Sequence, residues 1–199
     1  MRHCLAAAAL LLCAPALAEP AAEPVRIEAR SETIRTIFEE FRQANHIPGT
    51  VYGLVSDGKL VLVQGLGTRD PETGTAVDGD TRFRIASMSK AFTALAILHL
   101  RDSGKLSLDA PAARYVPQLR RWRLPTTDSR AITVRDLLFH TAGLVEDNPW
   151  GDRQQVLSER EFTALIGSGM DFATAPGVRM EYSNYGYALL GRIISNVSG

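Results

Sequence analysis

Residues 87–103 read SMSKAFTALAILHLRDS, a stretch that begins with serine and is apolar over most of its length. Drawn as a helix, it places apolar side chains on nearly every face, which is typical of a helix enclosed by protein. Gly104 follows at once and predicts the end of the helix. The stretch therefore predicts a buried helix from Ser87 to Ser103 at the centre of a sizeable core.

This helix begins with a Ser-x-x-Lys motif, Ser87 to Lys90. Residues three apart share a helix face, so the serine hydroxyl and the lysine amine can meet. A serine hydroxyl becomes a strong nucleophile only when a neighbouring base takes its proton. A lysine can be that base when burial or nearby charge lowers its pKa. The motif predicts Ser87 as a nucleophile and Lys90 as its proton acceptor.

The motif alone is weak evidence, because Ser56-Asp57-Gly58-Lys59 has the same spacing. This second copy lies between two β-rich runs, residues 50–55 and 60–66, where Asp-Gly predicts a type I′ hairpin turn. Among the three lysines that follow residue 18, Lys90 alone lies in an apolar helix. Context therefore favours Ser87, although the tetrapeptide would also suit an N-cap serine and a lysine whose stem packs on apolar surface.

Residues 182–184, Tyr-Ser-Asn, are a second candidate group and the only Tyr-x-Asn in the chain. Near Lys90, Tyr182 could relay a proton to a leaving group while the Asn184 amide holds a substrate. Two more tyrosines follow within five residues. Taken alone, this segment is better explained as a tyrosine-rich packing patch.

The remaining segments set the fold class. An apolar stripe at helical spacing predicts a helix over residues 31–45, and residues 82–85 alternate like a short strand. Three later segments predict helices, namely residues 132–140, 160–166 and 185–197. A helix and a hairpin followed by a run of helices indicate an α+β protein whose helices segregate from the sheet.

The first eighteen residues differ from the rest of the chain. A positive residue near the start precedes an apolar run that ends in Ala-Leu-Ala at 16–18, the pattern of a secretory signal peptide. The run is about half of the ~20 residues that a membrane-spanning helix needs, so no stable membrane span is expected. We predict a signal peptide over residues 1–18, a leader over 19–30, and a periplasmic or secreted protein.

Composition and missing motifs argue against several function classes. Lys+Arg and Asp+Glu are both 22, so the formal net charge is zero and no nucleic-acid partner is expected. Neither Gly-x-Ser-x-Gly nor Gly-x-x-x-x-Gly-Lys-Ser/Thr occurs, which disfavours a nucleophile-elbow hydrolase and a nucleotide hydrolase. Both cysteines lie within residues 1–18 and the histidines lack metal-ligand spacing, so we expect no metal and no cofactor.

Longer blocks around these motifs resemble the class C β-lactamase and penicillin-binding-protein-like serine hydrolases, a family that includes β-lactamase-like esterases and D-Ala-D-Ala carboxypeptidases. The blocks occur in family order, and the resemblance covers about residues 31–199. They are residues 83–90 with 104–109, the Leu-Leu-Phe-His-Thr-Ala-Gly-Leu segment 137–144, where Ala142 replaces the usual serine, and residues 176–191 around Tyr-Ser-Asn.

The resemblance implies a β-lactamase/transpeptidase-like fold with an antiparallel sheet flanked by helices plus a helical domain. Residues 31–86 would form the sheet part and residues 87–199 the mainly helical part. Ser87 would be acylated by a β-lactam, a D-Ala-D-Ala or peptidoglycan-type peptide, or a small ester. Lys90 and Tyr182 would share the proton transfers, Asn184 would contact the substrate, and the Ser87 N–H would be half of the oxyanion hole.

Two departures from the family pattern bear on activity. The third family motif, Lys- or His-x-Gly on a strand, does not occur, and His140 in its Thr-Ala-Gly loop is expected to be structural. The chain also ends after the Tyr-x-Asn helix, so we expect a truncated domain, incomplete at its C-terminus and impaired in turnover. The alternative is a non-catalytic periplasmic binding or scaffolding module that keeps the fold. Labelling of Ser87 would separate the two.

Overall fold

The computed structural model describes residues 27–146 and 156–199. The predicted signal peptide and most of the predicted leader lie outside the described residues. The chain forms two compact units, and the division falls between Phe83 and Arg84.

The first unit is a helix with an antiparallel sheet. The sheet has three strands in the order β1-β2-β3. Phe38 on the helix stacks flat on Tyr52 of the first strand, with ring centroids 4.1 Å apart. The predicted apolar stripe thus packs on the sheet. The elements are α1 (Ile27–Ala44), β1 (Gly49–Ser56), β2 (Lys59–Asp70) and β3 (Thr75–Ala76), and α1 begins four residues before the predicted helix.

The turn between β1 and β2 has the predicted form. Ser56 pairs with Lys59 across the hairpin. Asp57 (φ 49°) and Gly58 (φ 73°) both have left-handed backbone, as a type I′ turn requires. The Asp-Gly prediction is confirmed.

The predicted strand at residues 82–85 is wrong. These residues form no strand, and all four are exposed. Alternation shows only that a segment could lie on a sheet, whereas a strand also needs a neighbour for its backbone N–H and C=O groups. No described strand pairs with this segment.

The second unit is helical, with a core built around its last helix. Tyr185, Leu189, Leu190 and Ile193 of that helix are fully buried. The elements are a 3₁₀ turn (Ala86–Met88), α2 (Ser89–Asp102), 3₁₀ turns at Ala112–Arg114 and Pro117–Arg121, α3 (Val134–Leu138), α4 (Glu159–Ser168) and α5 (Asn184–Ser198).

The expectation that the Ser-x-x-Lys helix is buried on all sides is wrong. Ile97 and Leu100 of α2 join the core, but Phe92 is 68% exposed and Leu95 is 64% exposed. An all-apolar helix can be covered on every side, but only long-range packing determines which sides are. The central buried helix of this unit is α5.

Candidate active site

Ser87 lies in the 3₁₀ turn that leads directly into α2. Its side chain is exposed, and its backbone N–H lies at the start of a helix, where amides are suited to bind negative charge. Ala86, just before it, has φ 45°, a left-handed value that is unusual for a residue with a Cβ atom. Backbone strain of this kind is concentrated at functional sites.

The structure brings the four predicted site residues together. The Ser87 Oγ lies 2.5 Å from the Tyr182 hydroxyl. The Lys90 Nζ donates to the Ser87 Oγ at 3.2 Å and to the Asn184 Oδ1 at 2.6 Å. The Ser87 hydroxyl therefore contacts two groups that could accept or return a proton, and one of them comes from 95 residues later in the chain.

The segment that leads into α5 brings Tyr182 to Ser87 in the 3₁₀ turn, and the first residue of α5, Asn184, meets Lys90 in the first turn of α2. Ser183 caps α5, and its side chain accepts a hydrogen bond from the Gly186 N–H at 3.1 Å. This capping geometry is a standard way for serine to begin a helix. The Ser183 side chain serves the fold, whereas its two neighbours reach Ser87 and Lys90.

The tyrosines that follow Tyr182 divide into two roles. Tyr185 is fully buried and packs against Trp122 and Phe162, and burial raises the pKa of its hydroxyl. The packing interpretation is therefore correct for Tyr185. Tyr187 instead contacts the site, because the Lys90 Nζ lies 5.5 Å from its ring centroid and 4.7 Å from that of Tyr182.

Sequence reasoning missed Tyr187 as a site residue. The available signal was its spacing, since Asn184 and Tyr187 are three apart and share a helix face. Burial first, and then the neighbouring Tyr182, raise the pKa of Tyr187 above its ordinary value. Its hydroxyl thus stays protonated at neutral pH and donates to the Leu138 carbonyl at 3.1 Å.

His140 packs beside the two tyrosine rings. Its ring stacks on Tyr182 with centroids 4.6 Å apart and lies 5.0 Å from Tyr187. Its Nδ1 accepts a hydrogen bond from the Ser183 N–H at 3.1 Å. These contacts place His140 beside the tyrosine that contacts Ser87, and they are consistent with its expected structural role.

A buried carboxylate holds the loop that carries His140. Asp136 on α3 accepts hydrogen bonds from both ends of the Arg130 guanidinium and from the side chains of Thr133 and Thr141. Burial raises the pKa of Asp136, but the hydrogen bonds from Arg130 and Thr133 and the charge of Arg130 outweigh it, so the pKa lies below its ordinary value. The carboxylate is therefore ionised at neutral pH.

A family model described as Beta-lactamase matches residues 34–199, which include all four predicted site residues. The chain belongs to the β-lactamase family. Its fold is accordingly the β-lactamase/transpeptidase-like one, and the family and its structural neighbours are serine hydrolases.

Curated relatives of this β-lactamase-family chain include Protein flp of Staphylococcus aureus (strain COL), 36% identical over 169 residues, or 84% of this chain and 33% of the relative. Esterase EstB of Burkholderia gladioli is 32% identical over 126 residues, 63% of this chain and 32% of the relative. The chain thus spans about a third of the length of these relatives. Among solved structures, a class C β-lactamase superposes with a TM-score of 0.70 at 28% identity, over 89% of this chain and 47% of its own.

Within residues 27–146 and 156–199, no group of three or more His, Cys, Asp or Glu side chains could hold a metal ion. Across the same residues, no helix combines the length and apolar character needed to cross a membrane. A cavity of about 530 Å³ lies beside Trp122 and residues 167–172, and none of the four site residues lines it. The candidate site lies at the start of α2 and α5, where Ser87 is exposed and Lys90, Tyr182 and Asn184 are half-buried.

Proposed function

We propose that this chain is a serine hydrolase that acts through an acyl-enzyme on amide or ester substrates, with Ser87 as the nucleophile. One observation carries the proposal. The Ser87 Oγ is within hydrogen-bond distance of both the Tyr182 hydroxyl and the Lys90 amine. A nucleophile and base in mutual contact, with the base held by a third group, is the arrangement that nucleophilic catalysis needs. Asn184 is that third group, because it accepts a hydrogen bond from Lys90.

The proposed acylation begins when the Ser87 hydroxyl gives its proton to Tyr182 in its phenolate form, whose negative charge the Lys90 ammonium stabilises. The Ser87 Oγ then attacks the carbonyl carbon, and the carbonyl oxygen becomes an oxyanion. The Ser87 N–H at the start of the helix stabilises that charge. When the tetrahedral intermediate collapses, the bond to the leaving group breaks, and the leaving group takes the proton back from Tyr182. Water hydrolyses the acyl-enzyme by the same proton route.

A fluorophosphonate probe tests this proposal on the purified chain. Its phosphorus is attacked by an activated serine oxygen and fluoride leaves, so a stable covalent adduct marks the nucleophile. We expect one adduct, on the peptide that carries Ser87, and none after Ser87→Ala. A correctly folded chain that takes up no probe would instead support the alternative of a non-catalytic binding or scaffolding module.

The substrate class belongs to the same proposal. The chain's relatives and neighbours are named as esterases, class C β-lactamases and a D-alanine carboxypeptidase. We propose a β-lactam, a D-Ala-D-Ala peptide or a small ester as the acyl donor. Comparing a chromogenic cephalosporin, a nitrophenyl ester and a D-Ala-D-Ala peptide at equal concentrations would rank them, and Ser87→Ala must remove each activity for that ranking to count.

We also propose that a polypeptide of these 199 residues acylates slowly and turns over substrate poorly or not at all. No Lys- or His-x-Gly motif occurs in it, and by resemblance that motif lines the site. Loss of one oxyanion donor costs about 10²- to 10³-fold in rate. A nitrophenyl ester should therefore release nitrophenol slowly from the start, without a rapid first phase. Rapid steady turnover that Ser87→Ala abolishes would contradict this expectation.

Export is the last part of the proposal, because the first eighteen residues have the pattern of a secretory signal peptide. Mass spectrometry of the N-terminus, after expression in a Gram-negative host, should find the chain in the periplasmic fraction beginning at Glu19. An unprocessed chain confined to the cytoplasm would contradict it.

A further inference from the structure

His140 holds the backbone on both sides of Tyr182 as well as the tyrosine ring itself. The His140 carbonyl accepts a hydrogen bond from the Glu181 N–H at 2.8 Å. Its Nδ1 accepts one from the Ser183 N–H at 3.1 Å. Its ring stacks on the Tyr182 ring with centroids 4.6 Å apart and 27° between the planes. One residue therefore constrains three consecutive positions, and the middle one touches the nucleophile.

The backbone at His140 and Thr141 is itself constrained. His140 has left-handed backbone, with φ 58°. The next residue, Thr141, donates from its N–H to the Asp136 carbonyl at 2.8 Å and from its hydroxyl to the Asp136 carboxylate at 3.1 Å. Its carbonyl accepts a hydrogen bond from the Gly177 N–H at 2.7 Å. Little freedom remains for the imidazole to move away from Tyr182.

The hydrogen bond from Ser183 requires a neutral imidazole. A ring nitrogen accepts a hydrogen bond only when it carries no proton, so the neutral ring has its proton on Nε2. Protonation of Nδ1 would leave two N–H donors facing each other. It would also put a positive charge on a ring that stacks on Tyr182, whose centroid already lies 4.7 Å from the Lys90 amine. Among the described residues, the titratable rings that face His140 are those of Tyr182 and of Tyr187 on α5, and the Lys90 amine of α2 lies over both rings. Glu181, the backbone partner of His140, is paired with Arg179, and Asp136 of α3 accepts a hydrogen bond from the adjacent Thr141.

We propose that neutral His140 is the positioning residue for Tyr182, and that protonation of its ring releases the Tyr-x-Asn segment and slows acylation of Ser87. This inference rests on the proposed function. His140 does not touch the Ser87 Oγ in this arrangement; it acts through Tyr182. Displacing a proton-transfer group by about 1 Å costs on the order of 10²-fold in rate. The effect should fall on the acylation step and spare the initial binding of the acylating reagent.

The test compares two substitutions that separate the ring from the acceptor. His140→Asn places an amide oxygen where Nδ1 lies, does not titrate, and suits left-handed backbone. His140→Phe keeps a ring that can stack but has no acceptor. We expect His140→Asn to keep the maximal acylation rate within about threefold, and His140→Phe to lose about 10- to 100-fold with little change in the half-saturating probe concentration.

The pH profile of acylation supplies the readout that a merely structural role would not change. The acid limb of the unsubstituted chain should report one more ionisation than that of His140→Asn. His46→Asn is the matched control, because His46 is exposed and also has left-handed backbone, with φ 53°. It should keep both the rate and the acid limb of the unsubstituted chain.

A spectroscopic measurement keeps the two proposals distinguishable. In the unsubstituted chain the Ser183 amide proton should shift as His140 titrates, and in His140→Asn this titration should be absent. If Ser87 takes up no probe but the amide shift follows His140, the proposed function fails while the contact stands. The inference is overturned if His140→Phe acylates at the rate of the unsubstituted chain, or if His140→Asn acylates as slowly as His140→Phe. It is also overturned if the Ser183 amide proton does not shift as His140 titrates.

Discussion

The chain contains Ser-x-x-Lys twice, and the two copies differ in backbone geometry. In Ser56–Lys59 the middle residues have φ 49° and 73°, so the chain reverses direction and the end residues pair across a hairpin. In Ser87–Lys90 the middle residues have φ −60° and −57°, so the chain continues into a helix. Only the second geometry places the serine oxygen and the lysine nitrogen in hydrogen-bond contact, at 3.2 Å.

The surroundings of the two lysines differ as well. The Lys59 side chain is exposed at the tip of the hairpin and makes no hydrogen bond or ion pair with any described residue. Lys90 is half-buried, donates to Asn184, and lies over the rings of two tyrosines. The Ser-x-x-Lys spacing alone is therefore not sufficient for chemistry. The backbone between the serine and the lysine must bring them together, and residues from elsewhere in the chain must contact them.

The largest expected effect concerns the two serines. Ser87→Ala should abolish fluorophosphonate labelling, because no other described serine contacts both an amine and a phenol. Ser56→Ala should label at the rate of the unsubstituted chain. Intact-mass spectrometry over a time course measures both. Comparable losses in the two variants would mean that the comparison assigns the nucleophile to the wrong copy.

Lys90 and Lys59 should differ in the same way as the two serines, with a smaller change in the acylation rate. Removal of a proton-transfer group costs about 10²- to 10⁴-fold, so Lys90→Gln should slow acylation by that range while Tyr182 remains in place. Lys59→Gln is the matched control and should leave the rate unchanged. The acylation rate constants can be compared at saturating probe. If Lys90→Gln acylates within threefold of the rate of the unsubstituted chain, Lys90 is not needed for the proton transfer and Tyr182 acts without it.

The next prediction concerns the buried Asp136 network, which holds the loop that carries His140. Asp136→Asn should lower the free energy of unfolding by about 1–3 kcal/mol, because a buried network loses its charged acceptor. Since the folded pKa of Asp136 is lowered, its stabilising effect is present above the ordinary carboxyl value and is lost as the pH falls through the folded value. Urea titrations should therefore show the unsubstituted chain losing stability below about pH 4 more steeply than Asp136→Asn.

Asp109→Asn is the control for that experiment. Asp109 also pairs with an arginine, Arg135, at 2.7 Å, but its carboxylate is exposed. Exposed ion pairs contribute little to stability. The stability of Asp109→Asn should stay close to that of the unsubstituted chain at neutral pH, and an equal loss in both variants would argue against a special role for the buried network.

The smallest expected effect is a change in stability at the turn of the hairpin copy, Ser56–Lys59. Gly58→Ala should destabilise the hairpin by about 1–2 kcal/mol, because its φ of 73° is unfavourable for a residue with a Cβ atom. Gly167→Ala in α4 is the matched control, since at both positions an added Cβ would meet open space but Gly167 has no left-handed backbone. It should stabilise by about 0.5–1 kcal/mol. Thermal unfolding measures both changes, and labelling of Ser87 should persist in each.

Several features of the fold followed from local sequence. The Asp-Gly turn was predictable because the pair favours left-handed backbone at two consecutive positions. The α+β class followed from the order of the segments, and the family followed from sequence blocks that the comparison with known proteins then supported. The strand at residues 82–85 and the all-round burial of α2 failed, because each depends on which segments from elsewhere pack against it.

The sequence by itself determined the spacing that puts Ser87 and Lys90 on one helical turn, since i and i+3 always share a helix face. It could not show that Tyr182 approaches Ser87 across 95 residues, which requires α2 and α5 to pack in one particular register. Nor could it show that His140 supports that tyrosine, because two of the three contacts involve backbone groups that every residue carries. Only the tertiary structure decides which of those identical groups meet.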